Sequence, residues 1–179
     1  MSPDFDRFLL SCSHERIVTL KDGRLLPTLL RPEGHHAQLK ASRDIHRSCE
    51  GPLGPARFRR LSFTYNCFGM VLANRQCWVE PAPDCDIDSL LTSAGYRRHV
   101  RVGDVVSGDV VLYRAQDGAY VHIGLVLSAT RDPAHATMKF EVLSKWGQDG
   151  EYIHQANDVP LLLGTPREYW TDTHANEPA

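Results

Sequence analysis

The sequence predicts an α+β fold, in which a helix that begins at a cysteine packs on an antiparallel β-sheet that carries a histidine. Helix-like apolar spacing follows Cys67 in NCFGMVLA, residues 66–73. Three β-branched, apolar segments come later, at residues 108–115, 119–129 and 137–147. The turn sequences QDG and TRDPAH separate these segments, which is typical of successive antiparallel strands.

Two helices are predicted from their capping residues. The first runs from Cys67 to about Arg75, and either Thr64 or Asn66 is its N-cap. The second lies in DIDSLLTSAGY, residues 86–96, where an aspartate caps the start and the glycine ends the helix. The chain therefore places the cysteine-bearing helix before the histidine-bearing sheet.

The N-terminal third is predicted to be an extension of the main domain. Residues 16–30, RIVTLKDGRLLPTLL, place Asp22 and Gly23 between two apolar runs, which predicts a β-hairpin. An isolated hairpin is only marginally stable in water. Residues 1–60 are therefore predicted to pack on a catalytic core at 61–170, with a C-terminal tail at 171–179. The cluster ARFRRL at 56–61 is interpreted as a solvated loop.

Composition narrows the possible partners. The chain has 179 residues, of which 42% are hydrophobic, and a formal net charge of −2. This balance gives no electrostatic reason to expect nucleic acid or an anionic membrane as a partner. The N-terminal MSPDFDRFLLSCSHER lacks the pattern of a secretory signal, and no apolar run approaches the roughly 18 residues of a membrane span. A cytoplasmic location is predicted, and export by a dedicated secretion system remains open.

The cysteines do not indicate a disulfide framework or a metal site. Five cysteines is an odd number, and their spacing is irregular and contains no paired CxxC motif. No metal and no cofactor are predicted.

Cys67 and His122 are the predicted catalytic pair. A cysteine nucleophile needs a base within hydrogen-bond reach and a third group that orients the imidazole. His122 lies inside the apolar strand YVHIGLV, where burial alone favours valine or isoleucine, and Gly124 is expected to leave room beside it. The alternatives are a core-filling cysteine and a structural histidine.

The order of these motifs resembles the papain-fold cysteine hydrolases of the NlpC-like and CHAP-like branches. The matching elements are NCFGMVLA at 66–73, GDVVLY at 108–113 and HIGLVL at 122–127. The run LSKWG followed by EYIH is also similar to poorly characterised bacterial papain-like proteins with an N-C, H, S-K-x-G, H series. The resemblance spans about residues 62–170 and implies a papain-like (NlpC-like) fold. It also implies a cysteine peptidase or amidase.

The residue that orients His122 is left open. Ser144 and Glu141 lie on the next strand, and His154 lies beyond it. The resemblance favours Ser144 and His154 as further catalytic candidates, and the alternative for His154 is a surface residue that stabilises the SKWG turn.

Four residues are candidates for substrate binding. Tyr65 and Asn66 directly precede the cysteine, and Lys145 and Trp146 belong to the SKWG motif. Lys145 is interpreted either as a partner of a carboxylate, on the protein or the substrate, or as part of a solvated edge. Trp146 either lines a groove or anchors the core.

These residues predict a hydrolase that cleaves an amide bond in a peptide, an isopeptide or a peptidoglycan stem. Cys67 attacks the carbonyl carbon, and His122 moves the proton from the thiol to the leaving group. The alternatives are acyl transfer or thioester cleavage by the same residues, and a binding module without catalysis. The expected partner is a peptide, protein or peptidoglycan substrate, and any further protein partner is unknown.

Overall fold

Antiparallel strands form most of the structure, a computed structural model that describes residues 14–20, 22–23, 25–30, 56–79, 86–147 and 150–172. The strands are β1 His14–Thr19, β2 Leu25–Leu30, β3 Arg57–Leu61, β4 Trp78–Val79, β5 Tyr96–Arg98, β6 Val110–Arg114, β7 Tyr120–Arg131, β8 Met138–Lys145, β9 Gly150–Gln155 and β10 Thr165–Asp172. The α-helices are α1 Cys67–Leu72 and α2 Ile87–Ser93. Short 3-10 helices lie at Val102–Asp104 and Leu161–Leu163.

The strands form two antiparallel sheets. The larger sheet has seven strands in the order β3-β9-β8-β7-β6-β10-β5. The smaller sheet has the order β1-β2-β4. Its β1–β2 pair is the predicted hairpin, which confirms that expectation. Because β2 also pairs with β4, the hairpin is joined to the segment that directly follows α1.

The predicted α+β, papain-like fold class is wrong, because the described residues form a sheet-dominated structure with two short helices. The predicted cysteine helix is shorter than expected. It ends at Leu72, and Asn74 and Arg75 adopt positive φ values of 43° and 66°, which a right-handed helix cannot accommodate. The longest regular element is instead β7, with 12 residues.

The three strands predicted at 108–115, 119–129 and 137–147 are confirmed as β6, β7 and β8, and they are consecutive neighbours in the larger sheet. The loop interpretation of residues 56–61 is wrong, because β3 pairs with β9 there. The exposed arginines of RFRRL fit an edge strand. The sequence reasoning also missed β10, which inserts between β6 and β5.

The larger sheet buries side chains on both faces. On one face, which we call the helix face, Leu112 and Ile123 pack under α1 and α2, beside a smaller cluster around Leu143. On the other, which we call the far face, Tyr113 and Val142 belong to a second cluster. Side chains of neighbouring residues in a strand point to opposite faces, so each strand contributes to both clusters.

Several predictions lie outside the described residues. They concern three of the five cysteines (Cys12, Cys49 and Cys85), most of the predicted extension at residues 1–60 apart from β1, β2 and β3, and the tail after Asp172. Within the described residues, Cys67 and Cys77 are free thiols. None of the helices in the described ranges is both long and apolar enough to span a membrane.

Candidate functional site

Asn66 fixes the start of α1 and ties it to β4. Its side-chain Oδ1 accepts a hydrogen bond from the Gly69 backbone N–H at 2.8 Å, which confirms Asn66 as the N-cap. The same amide donates from Nδ2 to the Val79 carbonyl at 2.8 Å and accepts from the Val79 N–H at 3.2 Å. The amide of Asn66 therefore has a structural task, and it positions the neighbouring Cys67.

Gly69 allows α1 to lie directly against the chain at Cys77. A Cβ atom on residue 69 would lie 1.9 Å from the Cys77 carbonyl oxygen, which no side chain can tolerate. The sequence Cys67-Phe68-Gly69 therefore contains a packing requirement. The close approach holds the first turn of α1, and with it the thiol, against fixed backbone.

The Cys67 thiol sits among hydrogen-bond donors on the helix face. The residue is partly exposed, but burial of the sulfur raises the pKa of the thiol to about 11. Backbone N–H groups of Ile123, Phe68 and Cys67 itself, together with the Lys145 ammonium, act in the opposite direction and favour the thiolate. The resting thiol is therefore neutral at pH 7, in surroundings that favour negative charge.

A buried charged network lies beside this thiol. Lys145 has no exposed surface, donates from Nζ to the Gly147 carbonyl at 2.8 Å and lies 5.8 Å from the centre of the Tyr65 ring. Across the sheet it pairs in register with Glu151. Glu151 accepts from the Tyr65 hydroxyl at 2.8 Å and from Arg75 Nε at 2.5 Å.

The network contributes to the raised pKa of Tyr65. Burial, followed by the hydrogen bond to the Glu151 carboxylate, raises the pKa of Tyr65 to about 12. Tyr65 is only 1% exposed, so its hydroxyl is committed to the network and not to the surface. Lys145 is likewise buried, which contradicts the solvated-edge interpretation and agrees with a carboxylate on the neighbouring strand.

His122 points away from the thiol. Residues that pair directly across an antiparallel ladder share a face. His122 pairs with Tyr113, and the two rings lie 5.1 Å apart on the far face. Ile123 pairs with Leu112 on the helix face, where Cys67 packs. Cys67 and His122 thus lie on opposite sides of the sheet.

The space beside His122 is filled. A Cβ atom on Gly124 would lie 2.6 Å from Val142 Cγ1 and 3.1 Å from Ser144 Cβ. Gly124 is therefore needed for the close packing of β7 on β8, and the expected room beside the histidine is occupied. Burial, with a smaller effect of His154, lowers the pKa of His122 to about 3.

Ser144, His154 and Trp146 form a hydrogen-bonded chain on the far face. His154 Nδ1 lies 2.7 Å from the Gln155 carbonyl, which can only accept, so this nitrogen carries the proton. His154 Nε2 then accepts from the Ser144 hydroxyl at 2.7 Å. Trp146 Nε1 donates to the same hydroxyl oxygen at 3.0 Å. The serine of the SKWG motif and the later histidine are therefore in direct contact.

The predicted site residues are thus divided between two faces. The helix face brings together Cys67, Asn66, Tyr65 and Lys145. The far face brings together His122, His154, Ser144 and Trp146. Trp146 has no exposed surface and stacks on Tyr152 at 4.1 Å, so it anchors the core.

Sequence reasoning missed Glu151 and Arg75 as members of the helix-face network. One signal was present for Glu151. In GEYIH, Glu151 directly follows the glycine that ends the turn. A hairpin between SKWG and EYIH places it opposite Lys145. Arg75 carried no such signal, because its role depends on the positive φ that turns the chain after α1. Within the described ranges, His, Cys, Asp and Glu side chains form no group of three or more that could hold a metal.

Comparisons with known protein families, with curated proteins and with solved structures found no match to the chain.

Proposed function

We propose that the protein is a cysteine-dependent hydrolase that cleaves an amide bond in a peptide, an isopeptide or a peptidoglycan stem, with Cys67 as the nucleophile. One observation carries the proposal. Three backbone N–H groups and the Lys145 ammonium converge on the Cys67 thiol at the start of α1. Such a set of donors stabilises negative charge on sulfur or on an adjacent oxygen.

The reaction that fits this geometry is acyl transfer through a thioester. Cys67 Sγ bonds to the carbonyl carbon, the C–N bond breaks, and the thiol proton ends on the leaving amine. Water then hydrolyses the thioester and restores the thiol. The N–H groups of Ile123 and Phe68 already interact with the sulfur, so we propose them as donors that stabilise the developing charge.

In this proposal, Lys145 takes the place of His122 as the side chain that acts on the Cys67 thiol. Its ammonium lowers the pKa of the thiol, whereas His122 is directed to the far face. The hydrogen bond from Lys145 Nζ to the Gly147 carbonyl holds the ammonium in place. The cysteine motif NCFGMVLA and the later SKWG motif, which resemble parts of NlpC-like and CHAP-like hydrolases, are a further reason to propose cysteine chemistry.

A peptide, protein or peptidoglycan substrate and a cytoplasmic location belong to the same proposal. Thioester cleavage and acyl transfer to another acceptor use the same thiol, so they differ only in the group that leaves and the group that enters. The substrate experiment below separates these reactions by the product released.

A second candidate is a binding module that does not catalyse any reaction. The observation that favours it is the pKa of about 11 for the Cys67 thiol, which leaves the resting nucleophile protonated at neutral pH. Under this alternative, Cys67 is a core residue of the helix face.

Acylation by p-nitrophenyl acetate separates the two candidates. The hydrolase is expected to release p-nitrophenol in a burst followed by turnover, and intact-mass analysis with peptide mapping should find one acetyl group at Cys67. Cys67→Ser should abolish the burst, and Cys77→Ser, at a buried free thiol, serves as the matched control. Labelling of Cys67 without turnover, or equal release by both variants, would support the binding module.

Peptide and peptidoglycan substrates then test the bond. Synthetic peptides, an isopeptide and a muropeptide are incubated with the protein and with Cys67→Ala, and the products are identified by mass spectrometry. The appearance of a new amine and a new carboxylate that depend on Cys67 identifies an amidase. Transfer of the acyl group to an added amine identifies an acyltransferase.

A further inference from the structure

The far face contains buried polar atoms that the described residues leave without hydrogen bonds. These atoms are Tyr113 Oη and both ring nitrogens, Nδ1 and Nε2, of His122. Both residues have no exposed surface. A buried polar group without a partner destabilises a fold, and such groups in native proteins are nearly always satisfied by protein or by ordered water.

The neighbouring side chains cannot supply the missing bonds. His154 is one polar candidate, since it affects the pKa of His122. Both of its ring nitrogens are already used, by the Ser144 hydroxyl and the Gln155 carbonyl. The Ser144 hydroxyl donates to His154 and accepts from Trp146. The Ser144–His154 chain is therefore complete without His122.

The chemistry of the unpartnered atoms defines what they bind. A neutral imidazole offers one N–H donor and one nitrogen acceptor, and a phenol offers both functions on one oxygen. Apart from burial, His154 is the group that perturbs the pKa of His122, and it is neutral as well. Together these atoms require a partner that can both donate and accept hydrogen bonds.

The size of the partner is also limited. Tyr113 and His122 are direct neighbours across β6 and β7, with ring centres 5.1 Å apart. Val142 and Ser144 close the side next to Gly124. A molecule with more than a few atoms does not fit between close-packed strands.

We infer that the far face holds a buried site for ordered water, in which a water molecule bridges the Tyr113 hydroxyl and a ring nitrogen of His122. A buried water with two or more polar partners is a regular part of protein structures. The site explains why a histidine occupies a position in β7 where none of the described residues hydrogen-bonds its ring.

The sign of one substitution tests this inference. If water satisfies the Tyr113 hydroxyl, Tyr113→Phe removes a hydrogen bond and lowers Tm by about 2–4 °C. If the hydroxyl has no partner, the same variant removes a desolvated polar group and raises Tm. Tyr169→Phe is the matched control, because Tyr169 is a partly exposed tyrosine beside the same cluster, and its Tm should stay within about 1 °C.

Two direct measurements complete the test on the full chain. Water-selective NMR should show a long-lived water contact to the His122 ring protons, and a high-resolution crystal structure should show a water oxygen about 3 Å from Tyr113 Oη. The contact should be lost or shifted in Tyr113→Phe. A raised Tm for Tyr113→Phe, the absence of water at both groups, or a bound metal or anion detected by elemental analysis would each overturn the inference.

Discussion

Protonation of His122 should make the protein unstable in acid. The folded state keeps this ring neutral down to a pKa of about 3, because burial excludes the water that would solvate its charge. The unfolded chain binds a proton near the ordinary value of 6.5. Below that pH the unfolded state holds more protons than the folded state, so the free energy of unfolding falls as pH falls from 6.5 through 3.

The magnitude follows from the two pKa values. The full difference between 6.5 and about 3 corresponds to roughly 5 kcal/mol. Between pH 7 and pH 5 the contribution of His122 to the loss of stability is about 2 kcal/mol, because the folded ring is still neutral at pH 5. His154 contributes a further loss in the same direction, since burial lowers its pKa as well.

The assay is urea unfolding of the wild-type protein and of His122→Leu at pH 7, 6 and 5. The wild type should lose about 2 kcal/mol more than His122→Leu between pH 7 and pH 5. Asn157→Ala is the control, because it changes an exposed amide that carries no titrating group, and its curve should run parallel to the wild type. NMR titration of the wild-type His122 ring, without a shift above pH 4, provides the same test if His122→Leu does not fold.

Parallel pH curves for the wild type and His122→Leu would refute the reasoning. They would mean that the ring titrates normally in the folded state, and therefore that it reaches solvent or a charged partner.

Three further predictions concern the cysteine helix and its surroundings. Gly69→Ala should destabilise the protein by about 3 kcal/mol or prevent folding, because the new methyl group overlaps the Cys77 carbonyl; thermal unfolding measures this. Asn66→Ala should reduce stability by about 1–2 kcal/mol in urea, because the cap of α1 is lost. Lys145→Met should raise the pKa of the Cys67 thiol, so that iodoacetamide labels Cys67 several-fold more slowly at pH 8 and its pH profile moves upward.

Matched surface variants control these experiments. Asn157→Ala removes an exposed amide and should leave stability unchanged, and Lys139→Met removes a charge whose side chain is 59% exposed. A wild-type melting temperature for Gly69→Ala would contradict the close approach of α1. Equal labelling of Cys67 in Lys145→Met and Lys139→Met would show that the buried ammonium does not act on the thiol.

The sequence predicted the central strands well, because their apolar, β-branched runs are bounded by turn residues. It also predicted the position of α1 and its cap. The balance of helix and sheet was wrong, because the prediction missed β3 and β10 and extended α1 to Arg75, although Asn74 and Arg75 adopt positive φ values. Local periodicity does not report where a backbone turns left-handed.

The arrangement of the site depended on register, which the sequence does not encode locally. The odd and even residues of a strand lie on opposite faces of the sheet. A shift of one position along the strand therefore decides whether a histidine faces the helix. His122 and Ile123 differ by that one position, and the sheet turns Ile123 toward Cys67. Lys145 and Glu151 became neighbours for the same reason, through the pairing of β8 with β9.

The two outermost strands of the larger sheet, β3 and β5, have a consequence for solubility at high concentration. Both are short, and both expose guanidinium groups: Arg57, Arg59 and Arg60 on one edge, and Arg97 and Arg98 on the other. Two copies that approached edge to edge would bring these like charges together before their backbones could pair. The exposed arginines are therefore expected to disfavour edge-to-edge association, and their replacement by neutral residues is expected to promote it.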